Sequence, residues 1–170
     1  MFFTDCHVPA DRLLGRQDYA WMQLMAGLNH ERLINAVQSL GMAQRAFDDV
    51  LSYVKERNSS AARSAAVRRS GTASRTWRPR SMRPRLLVYD TAAKVDAHPG
   101  ALLPREASMA KLKATEAAKR AALEGMQMMG GYGYAVEYDM ERQVRAALAT
   151  TIYGGTSEIQ RDIIAKSLGL

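Results

Sequence analysis

Apolar positions recur at three- and four-residue gaps between about Tyr19 and Arg57: Leu33, Val37, Leu40, Phe47, Val50 or Leu51, and Val54. That period places one apolar stripe along a helix and predicts a single long amphipathic one. Gly41 lies inside it, at a cost of about 1 kcal/mol relative to Ala. Residues 86–97 (LLVYDTAAKVDA) read as the end of another helix, which His98-Pro99-Gly100 breaks. A third helix is predicted from Pro104 to Met129, with Pro in its first turn and Ala or Leu at most inward positions. Gly130-Gly131-Tyr132-Gly133 then predicts a glycine cap and a tight turn. Shorter helices follow over Met140–Thr150 and Thr156–Leu168. Gly154-Gly155 stand before the last one, and Thr156 or Ser157 is an N-cap signal. Residues 1–15 are strand-like and end in a turn punctuated by Pro9 and Gly15. The sum is an all-α chain, an antiparallel four-helix bundle over residues 18–170, with a short β-strand remnant and linker within residues 1–17.

Size and composition agree with one globular domain: 170 residues, 47 % of them apolar. The single cysteine, Cys6, cannot form an internal disulfide and carries no catalytic argument. His7, His30 and His98 lack metal-ligand spacing, so no metal is expected. No apolar run reaches the length of a membrane span. No basic n-region opens the chain, and a cytoplasmic location is the expectation.

The formal charge of +7 belongs to one segment. Residues 58–85 hold eight arginines (63, 68, 69, 75, 78, 80, 83 and 85) and no acid; without them 16 basic side chains face 17 acidic ones. A nucleic-acid-binding fold is therefore not implied by the charge as a whole.

The wording of the last third carries more than its periodicity. From Gln127 to Arg161 the chain reads QMMGGYGYAVEYDMERQVRAALATTIYGGTSEIQR. This resembles the C-terminal signature of the acyl-CoA dehydrogenase family, Q-x-x-GG-x-GY followed by Y-x-GTSEIQR. The resemblance extends upstream. Phe3 to Gly15 is similar to F-x-D-x-x-VPA-x-x-LLG, where the family's last β-strand hands over to its helices. Gly27-Leu28-Asn29-His30-Glu31-Arg32-Leu33 and Val54-Lys55-Glu56-Arg57 resemble the start and end of its first long helix. On this resemblance residues 1–17 are the end of a β domain, and the chain is the C-terminal part of a protein about twice as long. That implies a truncated gene or an internal start, and a piece that alone binds flavin weakly and does not turn over.

The reaction implied by the resemblance is α,β-dehydrogenation of an acyl-CoA thioester, with FAD as cofactor. A carboxylate takes the α-proton while the flavin takes the β-hydrogen. Many members carry that carboxylate directly after the Tyr of the last motif, where this chain has Gly154. A minority, isovaleryl-CoA and long-chain dehydrogenases among them, carry it in an ERL sequence on the first long helix, matched here by Glu31-Arg32-Leu33. Glycine at one base position and glutamate at the other agree, so Glu31 is the expected general base. A glutamate on a helix is by itself ordinarily a solvated surface residue. The same carry-over gives FAD contacts to Arg57, Gln127, Gly130, Gly131, Thr156 and Glu158. Asn29 and Arg32 would flank the base, and Tyr153 with Gly154 would line the thioester end of the pocket. Electron-transfer flavoprotein is the implied electron acceptor, and a homo-oligomer, dimer or tetramer, the implied assembly. Met126, Met128 and Met129 read as core filler.

Residues 58–85 (NSSAARSAAVRRSGTASRTWRPRSMRPR) break the pattern. They stand where a bundle's second helix belongs, yet show no apolar period. A disordered basic loop or a nucleic-acid-binding insert are two readings; a shifted reading frame is the one favoured. Restoring one base upstream lets one DNA string that encodes residues 58–64 read KQFGRPV instead, the motif that the resemblance leads one to expect directly after Glu56-Arg57. Resequencing the DNA for residues 50–90, with the intact mass of the expressed chain, is expected to show one base missing near codon 58 and one extra near codon 84. DNA that confirms the arginine-rich reading rejects the frame error and favours the alternative, a non-enzymatic helical interaction domain whose basic segment binds nucleic acid or acidic surfaces.

Overall fold

The computed structural model describes residues 1–57 and 83–170. The arginine-rich stretch from 58 to 82, and with it the frame-shift and nucleic-acid readings, lies outside the described residues. The chain folds into helices α1 (Ala20–Glu56), α2 (residues 83–97), α3 (Pro104–Met129), α4 (Gly131–Tyr134), α5 (Met140–Thr150) and α6 (Ser157–Ser167). The sequence placed the ends of α1, α3, α5 and α6 within a residue or so. It took the single turn of α4 for part of a loop.

Each boundary has a local cause. Pro104 opens α3, where its missing N–H has no intrahelical partner to lose. Gly130, at φ +63°, closes it by donating its N–H to Met126 O at 3.0 Å. Gly133 lies so close to α3 that a Cβ there would stand 2.9 Å from Met126 O. Thr156 caps α6 by accepting from Ile159 N at 3.4 Å.

The buried face of α1 differs from the one its large aliphatic residues predict. Val37 is exposed, and Leu33, Leu40 and Val54 are only partly buried. The face that goes inward is Asn29, Arg32, Ala36, Ser39, Ala43, Ala46 and Val50, a regular three-four spacing of mostly small residues. It meets an equally small face of α3, with Ala110, Ala114, Ala118, Ala121 and Ala122 all buried. Small side chains on both helices let the backbones approach; of the predicted stripe Val50 lies in the seam, while Leu33, Leu40, Phe47 and Val54 pack along its flanks.

Two apolar clusters run along this seam. Ala36, Ala110 and Ala114 gather with Val88 of α2; Ala43, Ala46 and Val50 gather with Ala118, Ala121, Ala122 and Met129, and with Met140, Val144 and Ala147 of α5. The first half of α1 therefore lies against the first half of α3, and the second half against the second: the two helices are parallel. α5 returns beside them, since Met140 meets the Val50 and Gly125 end while the chain beyond Thr150 reaches Lys111. Met126, Met128 and Met129 all pack into the second cluster, as filler. α6 docks on α3, where Arg161 bonds Glu116 at 2.6 Å, an exposed pair worth at most about 1 kcal/mol.

The strand expected near the N-terminus is not formed; among the described residues there is no strand. Residues 1–19 hold one 3-10 turn, Ala10–Arg12, and Phe2, Phe3 and Val8 are exposed. Strand backbone needs a ladder to bond with, and no described segment offers one.

Gly125 is tightly enclosed by the second cluster. A Cβ there would stand 3.0 Å from both Met140 Cε and Val50 Cγ2. Gly125→Val is expected to lower the unfolding free energy by about 1–3 kcal/mol through overpacking, read by denaturant titration.

Candidate active site

Three segments meet at one end of the α1–α3 seam: the first turns of α1's buried stretch, Lys111 of α3, and the Thr151–Thr156 turn that leads into α6. The turn holds two consecutive left-handed residues, Gly154 at φ +63° and Gly155 at φ +88°, a conformation that glycine adopts without steric cost. Gly154 rests directly on α1. A Cβ on it would collide with Asn35 Nδ2 and stand 3.4 Å from Glu31 Oε1. The Glu31 carboxylate, one helical turn before Asn35, thus lies beside the point where a side chain at position 154 would begin. The two alternative base positions read from the sequence are neighbours in space.

The ground beneath this point is polar and buried. Asn29 and Arg32 are both inside, and Arg32 Nη1 donates to Asn29 Oδ1 at 2.7 Å. Burial lowers the Arg32 pKa, and the nearby Glu31 charge partly restores it. Lys111 is fully buried (0 % exposed) and its Nζ donates to Gly155 O at 2.8 Å. Gln160, also fully buried, donates from Nε2 to Gly154 O at 3.2 Å and to Gly155 O at 2.9 Å. Asn35 Nδ2, Arg32 Nε and Gln160 Oε1 are buried without a partner among the described residues.

Burial first, and Arg32 second, hold the Lys111 ammonium below the ordinary lysine range, while Glu158 and Glu31 pull it partly back. The unfolded chain then binds that proton more tightly than the folded one. The charge costs stability below the folded value, and the cost fades as pH rises toward the ordinary lysine range.

Thr156 and Glu158 stand at the N-terminus of α6. The Glu158 carboxyl is held below its usual range by its own backbone N–H, then by the Thr156 hydroxyl. Both residues line an open groove of about 260 Å³ with Glu116, Lys119, Thr151, Ile152, Ser157 and Arg161. Tyr153, partly exposed, adjoins Gly154 on the same turn.

The remaining sequence-derived residues lie at the other end of the seam. Arg57 caps α1, and its Nη1 donates to Tyr53 Oη at 2.8 Å and to Met129 O at 3.3 Å. Its guanidinium lies 5.5 Å and 5.9 Å from the Tyr53 and Tyr132 ring centroids. Gln127, Gly130 and Gly131 are exposed around the same point. From Lys111 to Met129 α3 advances 18 residues, about 27 Å at the helical rise. The structure therefore sorts the expected site residues into two groups. Glu31, Asn29, Arg32, Tyr153, Gly154, Thr156 and Glu158 share one end, and Arg57, Gln127, Gly130 and Gly131 share the other. Asn35, Lys111 and Gln160 were missed by the sequence reading. The signal for two of them was there: Asn35 and Lys111 are polar residues beside alanines at the inward phase of their helices.

A family model described as acyl-CoA dehydrogenase, C-terminal domain, matches residues 21–169. The chain belongs to the acyl-CoA dehydrogenase family. It is 40 % identical over 169 residues to an acyl-CoA dehydrogenase of Bacillus subtilis, covering 99 % of this chain and 44 % of that one. It is 35 % identical over 168 residues to the caffeyl-CoA reductase-Etf complex subunit CarC of Acetobacterium woodii, with the same shares covered. Its fold superposes with a TM-score of 0.93 on the crystal structure of an acyl-CoA dehydrogenase from Geobacillus kaustophilus, at 36 % identity, covering 99 % and 44 %. The chain thus spans less than half the length of the relatives it matches, and its match is to the family's C-terminal helical domain.

Within this acyl-CoA dehydrogenase domain, Gly154 leaves no room for a side chain. Gly154→Ala combines a left-handed backbone with the collision against Asn35, and is expected to cost about 1–3 kcal/mol, read as a fall in Tm. An unchanged Tm contradicts the close approach of the turn to α1.

Proposed function

We propose that this chain is the helical part of a flavin-dependent acyl-CoA dehydrogenase in which Glu31 is the general base. The observation that carries the reading is the 3.4 Å separation between Glu31 Oε1 and the position a Gly154 Cβ would occupy. A carboxylate reaching that spot from α1 stands where one rooted on the turn would otherwise start, so either root can present an oxygen to the same substrate carbon.

The residues fit an FAD. The groove at the α6 N-terminus has mostly polar walls, and Lys119, Arg161 and the Thr156 hydroxyl among them suit anionic oxygens. Arg57 is exposed and held by two tyrosine rings, with Nη1 engaged and the rest of its fork open to a phosphate. Thr156 and Glu158 would hold the cofactor at one end of the seam, and Arg57, Gln127, Gly130 and Gly131 at the other. FAD, when bound, supplies the acceptor for the β-hydrogen.

The chain's own residues do the rest. Tyr153 and Gly154 line the thioester end of the pocket. Glu31 accepts the α-proton and becomes neutral, and the electron pair freed at the α-carbon forms the double bond as the β-hydrogen leaves for the acceptor. Arg32, beside it, remains positive throughout and stabilises the ionised carboxylate that begins the step. The two groups of cofactor residues lie far apart along α3, which suits a homo-oligomer whose second copy contributes the Arg57 group. Electron-transfer flavoprotein as electron acceptor is supported by the Etf complex named for the Acetobacterium woodii relative. Among the described residues no cluster of His, Cys, Asp and Glu could hold a metal ion. No helix among them is long and apolar enough to cross a membrane.

In a flavin-loaded protein containing this domain, Glu31→Gln is expected to lower kcat by about 10²–10⁴-fold, the usual worth of a positioned acid–base group, with flavin content unchanged. Full turnover by Glu31→Gln rejects the assignment.

A further inference from the structure

The turn that faces Glu31 holds a conformation that has to be secured from outside. Two successive glycines carry the largest backbone freedom a chain can have, and both sit at left-handed φ. Among the described residues, their carbonyls are secured by side chains alone. Gln160 Nε2 donates to both, and Lys111 Nζ donates to Gly155 O.

Lys111 is an expensive residue for this purpose. It is fully buried and, among the described residues, pairs with no carboxylate. A lone buried ammonium opposes folding, and an apolar side chain of similar volume is often at least as stable. Its benefit must lie in the one hydrogen bond it makes, and that bond ends on the turn.

We infer that Lys111 is a positioning residue: from α3 it draws the Gly155 carbonyl inward and so holds the Gly154 backbone against Glu31 and Asn35. A neutral donor such as Gln160 sets the direction of the carbonyls. The ammonium adds the stronger, charge-assisted bond that fixes their depth. The consequence for the base rests on the assignment of Glu31 above; the control of the turn does not.

The test uses the 170-residue chain itself. Lys111→Met keeps the volume and removes the donor. The expected result is a Tm unchanged or raised, with backbone hydrogen exchange in a 151–160 peptide accelerated by about tenfold or more, the worth of one charged hydrogen bond. A 116–125 peptide should exchange as before. The side-chain carboxyl ¹³C resonance of Glu31, assigned by its loss in Glu31→Gln, should move in Lys111→Met. Lys111→Gln, which keeps a donor without the charge, should fall between wild type and Lys111→Met, and decides the matter by the same criterion if Lys111→Met does not fold. Exchange at 151–160 that is unchanged, or accelerated equally in both peptides, overturns the inference. Glu31→Gln should leave the exchange of the turn intact, so a failure of the Glu31 assignment and a failure of the Lys111 role are read separately.

Discussion

The close parallel contact between α1 and α3 is the constraint from which the rest follows. Ala36, Ala43 and Ala46 face Ala110, Ala114, Ala118, Ala121 and Ala122 in two connected clusters. Small side chains give each residue little apolar area to bury, so the seam gains through close packing and dispersion over its length more than through any single large group. It also fixes register. With the two helices locked side by side, Glu31 and Asn35 of α1 and Lys111 of α3 are held at one end, and Arg57 and the Gly130 turn at the other.

The site end is polar because the seam's spacing continues past its last alanine. Going back along α1, the inward positions after Ala36 are Arg32 and Asn29; going back along α3, Lys111 stands beside Ala110. Groups that would weaken a core are gathered beneath the Gly154–Gly155 turn, and several keep an unpartnered nitrogen or oxygen. Buried polar atoms left unpaired cost folding free energy. Such local inconsistency concentrates where chemistry is carried out.

Much of this was legible in the sequence. Helix ends were readable because Pro104, Gly130 and Thr156 act locally, through backbone conformation and capping. The nearness of Glu31 to Gly154 was readable only through the resemblance, which offers the two positions as alternatives for one carboxylate. The buried face of α1 was read only in part: Val50 is in the core and Val37 is exposed. Hydrophobicity points to Leu33, Val37 and Leu40, whereas helix approach selects Ala36, Ser39 and Ala43, and which wins depends on the partner surface. The N-terminal strand was inferred from wording whose β partners are not among the described residues. Lys111 escaped because a lysine on a helix reads as solvated unless its phase is counted against its neighbours.

The most direct test of the account is the proximity of Glu31 to Gly154 in solution. In a ¹³C,¹⁵N-labelled sample of the 170-residue chain, the account predicts nuclear Overhauser contacts from the Gly154 Hα protons to the Glu31 Hγ protons and to the Asn35 side-chain amide. A Gly154 that shows contacts to α5 and α6 but none to α1 contradicts it, and with it the assignment of Glu31 as the base.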